Sequence, residues 1–324
     1  MYISETALKK GAALFAYDLD ALHPMPQGGM PEGAVYKYTD GEDQLLIKIL
    51  PTPAKWLPAA RGKYDFVGYL RENGFDAPIL LPSVNGNRYE VVEVEDQFYM
   101  IAKIKKAPGS PKMSIDDWDE QFFEAWGRVL GKLHALSSRY EGDAGMADWR
   151  DVHDYFADMA RSDKALSSKW EQFGEELKQI PTSPDGLGLI HNDPGPWNLF
   201  FDGSTVTLVN FEVCDRHWFI YEVATALSEG IRWIRSSNRH LPDDEIIALV
   251  HNFKQHFLAG YFSENALDDS WFKYIPFFAK YRRVVIYLIL VNAVGQSDDE
   301  QRKKQAAAIR ESILADKPVF GLEA

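Results

Sequence analysis

Past the middle of the chain, His191, Asp193 and Asn198 stand in the order H-x-D-x-x-x-x-N, inside Leu189-Ile190-His191-Asn192-Asp193-Pro194-Gly195-Pro196-Trp197-Asn198. A carboxylate and an amide at that spacing, on a loop stiffened by two prolines, suit phosphoryl transfer. The reaction needs a carboxylate at the attacking hydroxyl and separate oxygen ligands for a cation that neutralises the phosphates. Asp193 is the candidate for the first task with His191 beside it, and Asn198 for the second. The loop continues into a hairpin signalled by Asp202-Gly203, and Asn210-Phe211-Glu212 follows at the end of that hairpin. A buried turn merely capped by His, Asp and Asn would use the same residue types without chemistry.

Such a loop needs a scaffold, and the sequence on either side of it has two textures. In the first hundred residues, the stretches 35–38, 44–50, 88–94 and 97–104 are short and β-rich, punctuated by Asp40-Gly41 and Asn85-Gly86. Between them the spacing of Phe66, Val67, Tyr69 and Leu70 predicts a helix over 59–73, stopped by Gly74. After Ala107-Pro108-Gly109 the pattern turns helical, and Trp118, Phe122, Ala125, Trp126, Val129, Leu130 and Leu133 predict one helix over 115–137. The expected architecture is α+β: a small β-rich lobe over 1–104, a larger helical lobe over 105–324, and a crevice between them.

The 324 residues are 46% hydrophobic and 26% charged, in the globular range. With 48 acidic against 35 basic residues the formal charge is -13, and no basic patch breaks it, which argues against nucleic acid and anionic membranes as partners. Cys214 is the single cysteine, so neither an internal disulfide nor a multi-thiolate metal site can form, and a cytoplasmic location is expected. The apolar stretch 12–17 is too short for the core of an export signal. The apolar run 284–294, just after Arg282 and Arg283, falls short of the ~20 residues of a membrane span and reads as a buried core helix.

Taken together, these segments resemble the aminoglycoside phosphotransferase and choline kinase-like superfamily, in its bacterial phosphotransferase branch. The likeness rests on the 191–198 loop, on Trp126-Gly127-Arg128-Val129-Leu130-Gly131-Lys132-Leu133-His134 before it, and on His217-Trp218-Phe219-Ile220-Tyr221-Glu222-Val223-Ala224 after it. It implies a bilobal protein kinase-like fold, ATP or GTP as phosphate donor, and Mg2+. It further implies that Lys48 contacts the nucleotide phosphates, that Gly28 and Gly29 belong to a phosphate-covering turn, and that Ile101 and Ile104 wall the adenine. Asn198, Asn210 and Glu212 take the places of metal ligands.

Two positions depart from the family pattern. Asn210 stands where an acidic ligand is usual, and an amide binds magnesium more weakly than a carboxylate does. Lys63 stands where a helix glutamate normally pairs with the strand lysine; Asp65 lies roughly 200° further round the helix, and Glu72 is another candidate partner. The leading expectation is a small-molecule kinase. The alternative is a nucleotide- or ligand-binding module that has lost transfer through Asn210; a hydrolytic metal site around His191 and His217 fits no ligand spacing. Asp215, Glu222 and Glu229 would suit a cationic acceptor such as an amino sugar or amino alcohol, while the oligomeric state is left open.

Overall fold

The computed structural model describes residues 3–25, 34–142, 145–294 and 300–323. In chain order the elements are α1 (Glu5–Phe15), β1 (His23–Pro24), β2 (Val35–Asp40), β3 (Asp43–Thr52), α2 (Leu57–Glu72), β4 (Ile79–Leu81), β5 (Glu90–Val94), β6 (Gln97–Lys105) and β7 (Ser110–Pro111). There follow α3 (Glu120–Ser137), α4 (Trp149–Ala160), α5 (Lys164–Leu177), β8 (Leu187–Ile190), β9 (Leu199–Phe201), β10 (Val206–Leu208) and β11 (Asp215–Trp218). Four helices close the chain: α6 (Phe219–Ser237), α7 (Asp243–Phe262), α8 (Ile275–Val294) and α9 (Glu300–Leu314).

These elements form two compact units that are not contiguous in sequence. The first takes residues 1–111 together with 140–146 and 199–212; the second takes 112–139, 147–198 and 213–324. The hairpin β9–β10 thus belongs with the N-terminal strands, because β9 pairs with β7 and the Leu208 amide donates to the Asp76 carbonyl.

In the first unit an antiparallel sheet runs β1-β2-β3-β6-β4, with β5 also on β6. Alternation along β3 and β6 sends Ile47, Ile49, Tyr99 and Ile101 to one face, where Ala7, Phe15 and Tyr17 from α1 and its exit cover them. The opposite face carries Lys48, paired in register with Ala102 and Val35, and Leu46, paired with Ile104. Pro58 in the first turn of α2 suits a position whose amide would be unbonded anyway, and Gly74 just past its end adopts φ 75°.

The second unit is built on α3 against α7. Gly127 and Gly131 lie where a Cβ would strike the carbonyls of Phe257 and Tyr261, and Gly260 answers against the Glu124 carbonyl, so the two backbones approach closely. Trp118, Trp126 and Phe253 pack around that seam. The helix expected over 115–137 begins only at Glu120. Asp119 caps it by accepting from the Phe122 amide, and residues 115–117 form a separate 3-10 turn. The apolar run 284–294 is the last half of α8; it buries Val284, Val285 and Leu288 but leaves Ile289 and Val291 exposed. No helix among the described residues is long and apolar enough to cross a membrane.

Candidate active site

Strand β8 ends at Ile190, and the loop that follows is folded onto a buried carboxylate. Glu222, fully buried in the first turn of α6, accepts from the backbone amides of His191 (3.2 Å) and Asn192 (2.6 Å) and pairs with His134 Nε2 (2.9 Å). A helix N-terminus favours an anion there, and three donors repay its desolvation. His134 in turn meets the Tyr261 hydroxyl at 2.8 Å through Nδ1, and Asn265 Nδ2 donates to that same hydroxyl at 2.9 Å. The chain of partners is satisfied when His134 carries its proton on Nε2.

Asn192 is the pivot of the loop. Its φ of 69° lies in the left-handed region, which asparagine tolerates better than most side chains. Its Nδ2 donates to Asp215 Oδ2 at 2.7 Å, its amide to Glu222, and its carbonyl accepts from Arg282 Nη1 at 3.3 Å. His191 is fully buried and accepts from the Asp193 amide through Nδ1 at 3.2 Å. It shapes the loop from within.

Asp193 is held from both carboxylate oxygens. Oδ2 accepts from Trp197 Nε1 at 2.9 Å and Asn198 Nδ2 at 3.0 Å, while Arg282 Nη2 stands 3.3 Å from Oδ1. Asn198 Nδ2 also donates to the Asp193 carbonyl at 2.8 Å. The amide nitrogen of Asn198 is thus turned toward Asp193. Arg282 comes from α8 and is itself buried; burial opposes its charge, but the fields of Tyr221, Asp193 and Glu229 more than offset this and raise its pKa.

In the first unit Lys48 is buried on β3, ion-paired with Glu212 Oε1 and 3.4 Å from Asn210 Oδ1. Lys63 on α2 donates to the Glu212 carbonyl. Glu212 is thus the acid that pairs with the strand lysine, and Glu72 is engaged elsewhere, with Arg88. Asn210 sits at φ 67°, again a left-handed position. The hydroxyl of Tyr64 is shut off from solvent without a hydrogen-bond partner, and burial, then the charge of Glu212, push its pKa up.

Several expected placements change. Ile101 and Ile104 lie an odd number of residues apart on β6 and so face opposite sides of the sheet. Ile101 packs in the α1 core, while Ile104 shares the Lys48 face with Ala102. Gly28 and Gly29 lie outside the described residues. The three carboxylates assigned to a cationic acceptor are all engaged internally: Asp215 with Asn192, Glu222 with His134 and the loop, Glu229 with Arg232. Arg282 and Trp197 are the residues that sequence reasoning missed. Among the described residues no cluster of three or more His, Cys, Asp or Glu could hold a metal.

A kinase-like loop presenting an oriented aspartate, in a chain that begins with an antiparallel sheet carrying a buried lysine and continues mostly as helices, defines a phosphotransferase with the α+β protein kinase-like fold. The chain belongs to the phosphotransferase enzyme family, whose model matches residues 32–264. It is accordingly a small-molecule kinase with an alcohol group as acceptor. Amicoumacin kinase of Bacillus subtilis (strain 168) is 26% identical over 335 residues, spanning 100% of this chain and 96% of that protein. Among solved structures, amicoumacin kinase hAmiN in complex with AMP-PNP, Ca2+ and Ami is similar with a TM-score of 0.87 at 24% identity, over 99% of this chain and 96% of that one. The microcompartment-associated aminopropanol kinase gives 0.72 at 20% identity, over 96% of each chain.

Proposed function

We propose that this kinase moves the γ-phosphate of ATP or GTP onto a hydroxyl of an amine-bearing small molecule, with Asp193 acting on that hydroxyl. The observation that carries the reading is the Asp193 carboxylate, fixed by Trp197, Asn198 and Arg282 in a loop of phosphoryl-transfer spacing. A carboxylate so held accepts the acceptor's O–H and aims an oxygen lone pair at the γ-phosphorus. It takes the proton as the new O–P bond forms and the bond to the β-phosphate oxygen breaks. The first unit serves the nucleotide through Lys48, and the second serves the acceptor.

The donor set consists of oxygens only, which suits a hard divalent ion. Asn198, with Asn210 or Glu212, would hold magnesium, whose contribution is to neutralise charge on the phosphates. The amine-bearing class comes from the similarity to an amicoumacin kinase and an aminopropanol kinase, and the acidic charge of -13 agrees with it. Since Asp215, Glu222 and Glu229 are engaged, other groups recognise the amine. A cytoplasmic location fits the single buried thiol, Cys214.

The test is nucleotide consumption with magnesium against amicoumacin, aminopropanol and related amino alcohols. Asp193→Asn should lower turnover by about 10²–10⁴-fold with nucleotide affinity retained; unchanged turnover rejects the assignment. A second reading, nucleotide binding without transfer, is favoured by Asn210 and by the Lys48–Glu212 pair, in which the lysine is already occupied. Tight nucleotide binding with neither acceptor turnover nor basal hydrolysis would decide for it.

A further inference from the structure

Around Glu212 the first unit reverses the charge arrangement expected of this family. The strand lysine Lys48 is paired with an acid from the hairpin end, and α2 contributes not an acid but a second cation, Lys63, whose ammonium donates to the Glu212 carbonyl. One residue thus lies between two ammonium groups, its carboxylate on one and its backbone oxygen on the other. The hydroxyl of Tyr64, next to Lys63 on α2, is sequestered without a hydrogen-bond partner, and burial, then the charge of Glu212, push its pKa up.

We infer that Lys63 is a second phosphate-binding cation, and that Lys48 and Lys63 together hold a nucleoside triphosphate without a divalent metal, which is then required mainly for transfer. This rests on the kinase reading above. An acid at position 63 would set one lysine against two carboxylates, a net negative cradle that a polyanionic nucleotide could enter only with a metal. The arrangement present sets two lysines against one carboxylate, a net positive cradle. Asn210 points the same way, because a neutral amide withholds charge from a cation while Lys63 supplies it directly.

Glu212 is the placeholder in this scheme. An ammonium has three N–H donors, and the Glu212 carbonyl takes one of those of Lys63. The triphosphate carries more charge than one carboxylate, so it displaces Glu212 from Lys48 and frees that carboxylate for magnesium. The exchange breaks one ammonium–carboxylate pair and forms two ammonium–phosphate pairs.

The experiment is calorimetric titration of ATP into the full chain, with magnesium and separately with EDTA, for wild type, Lys63→Met, Lys63→Glu, Lys63→Arg and Glu212→Gln. Wild type should bind ATP in EDTA within about tenfold of its affinity in magnesium. Lys63→Met should weaken EDTA binding by about tenfold or more and magnesium binding by less; Lys63→Glu should leave binding only with magnesium; Lys63→Arg should restore EDTA binding. Glu212→Gln should tighten EDTA binding, since Lys48 loses its competitor. Equal affinities for wild type and Lys63→Met in EDTA, or loss of wild-type binding on metal removal alone, overturn the inference while the kinase reading stands. Absence of ATP binding even with magnesium overturns both.

Discussion

Replacing Arg282 by methionine tests how the aspartate is held. The side chain is 8% exposed and bridges three groups, Asp193 Oδ1 and the Asn192 carbonyl at 3.3 Å and the Tyr221 hydroxyl at 3.5 Å. Removing one member of a fully buried ion pair costs about 3–5 kcal/mol. Here the Asp193 side chain is 31% exposed and keeps Trp197 and Asn198, and every guanidinium contact is long, so water can take over part of the loss. The expected destabilisation is therefore about 2–3 kcal/mol. Turnover should fall about 10–100-fold, because a reacting group displaced by an ångström or less loses its alignment, and nucleotide affinity should hardly move. Arg282→Lys keeps the charge but not the planar fork, and should recover more stability than turnover. Urea unfolding and steady-state turnover, measured on the same samples, separate the two effects. Wild-type turnover in a destabilised methionine variant would refute the positioning role; no change in either quantity would mean that the pair does not form in solution.

Asn210→Asp adds a carboxylate beside Lys48 and should tighten magnesium binding about tenfold, read by metal titration; if Glu212 already supplies the charge, Glu212→Gln is the damaging change instead. Glu222→Ala strands two backbone amides and the His134 ring in a fully buried place, which at about 1–3 kcal/mol per donor removes about 3–9 kcal/mol, a large part of a typical domain's stability. A thermal melt near that of wild type would refute this account of the loop. Burial, then Arg282 and His153, holds the pKa of His217 well below the usual histidine value, so the unfolded chain binds the proton first as pH falls. Stability from this residue is complete above about pH 6.5 and is lost below it at up to about 1.4 kcal/mol per pH unit. His153, also lowered by burial, adds in the same direction, whereas lowered carboxylates such as Asp163 act near pH 4 and below. Melting temperatures from pH 7.5 to 5.5 should drop for wild type and less for His217→Phe; an equal slope in both assigns the effect elsewhere.

Local patterns carried much of this protein in the sequence alone. Residue spacing within one loop singled out Asp193 and Asn198 as candidates, Asp202-Gly203 marked the β9–β10 hairpin, and the family resemblance pointed to Lys48. Ile101 and Ile104 were placed together on the adenine wall by the resemblance, although an odd spacing on a strand always divides two residues between its faces. The start of α3 was missed by a few residues because the apolar stripe continues through Trp118, while Asp119 sets the boundary by capping.

What only the tertiary structure decided are pairings between residues far apart in the chain. Lys48 meets Glu212 across 164 positions, Arg282 reaches Asp193 across 89, and His134 finds Glu222 across 88. Each charged residue has many possible partners in a chain with 48 acids and 35 bases, and nothing in its own neighbourhood selects among them. Selection comes from burial. Once packing removes water from around Glu222 or Arg282, only the partner brought within reach can offset the cost of desolvation, and that partner is set by how helices and strands pack. Sequence therefore determined which chemistry this chain could perform, and folding determined which residues hold the reacting groups in place.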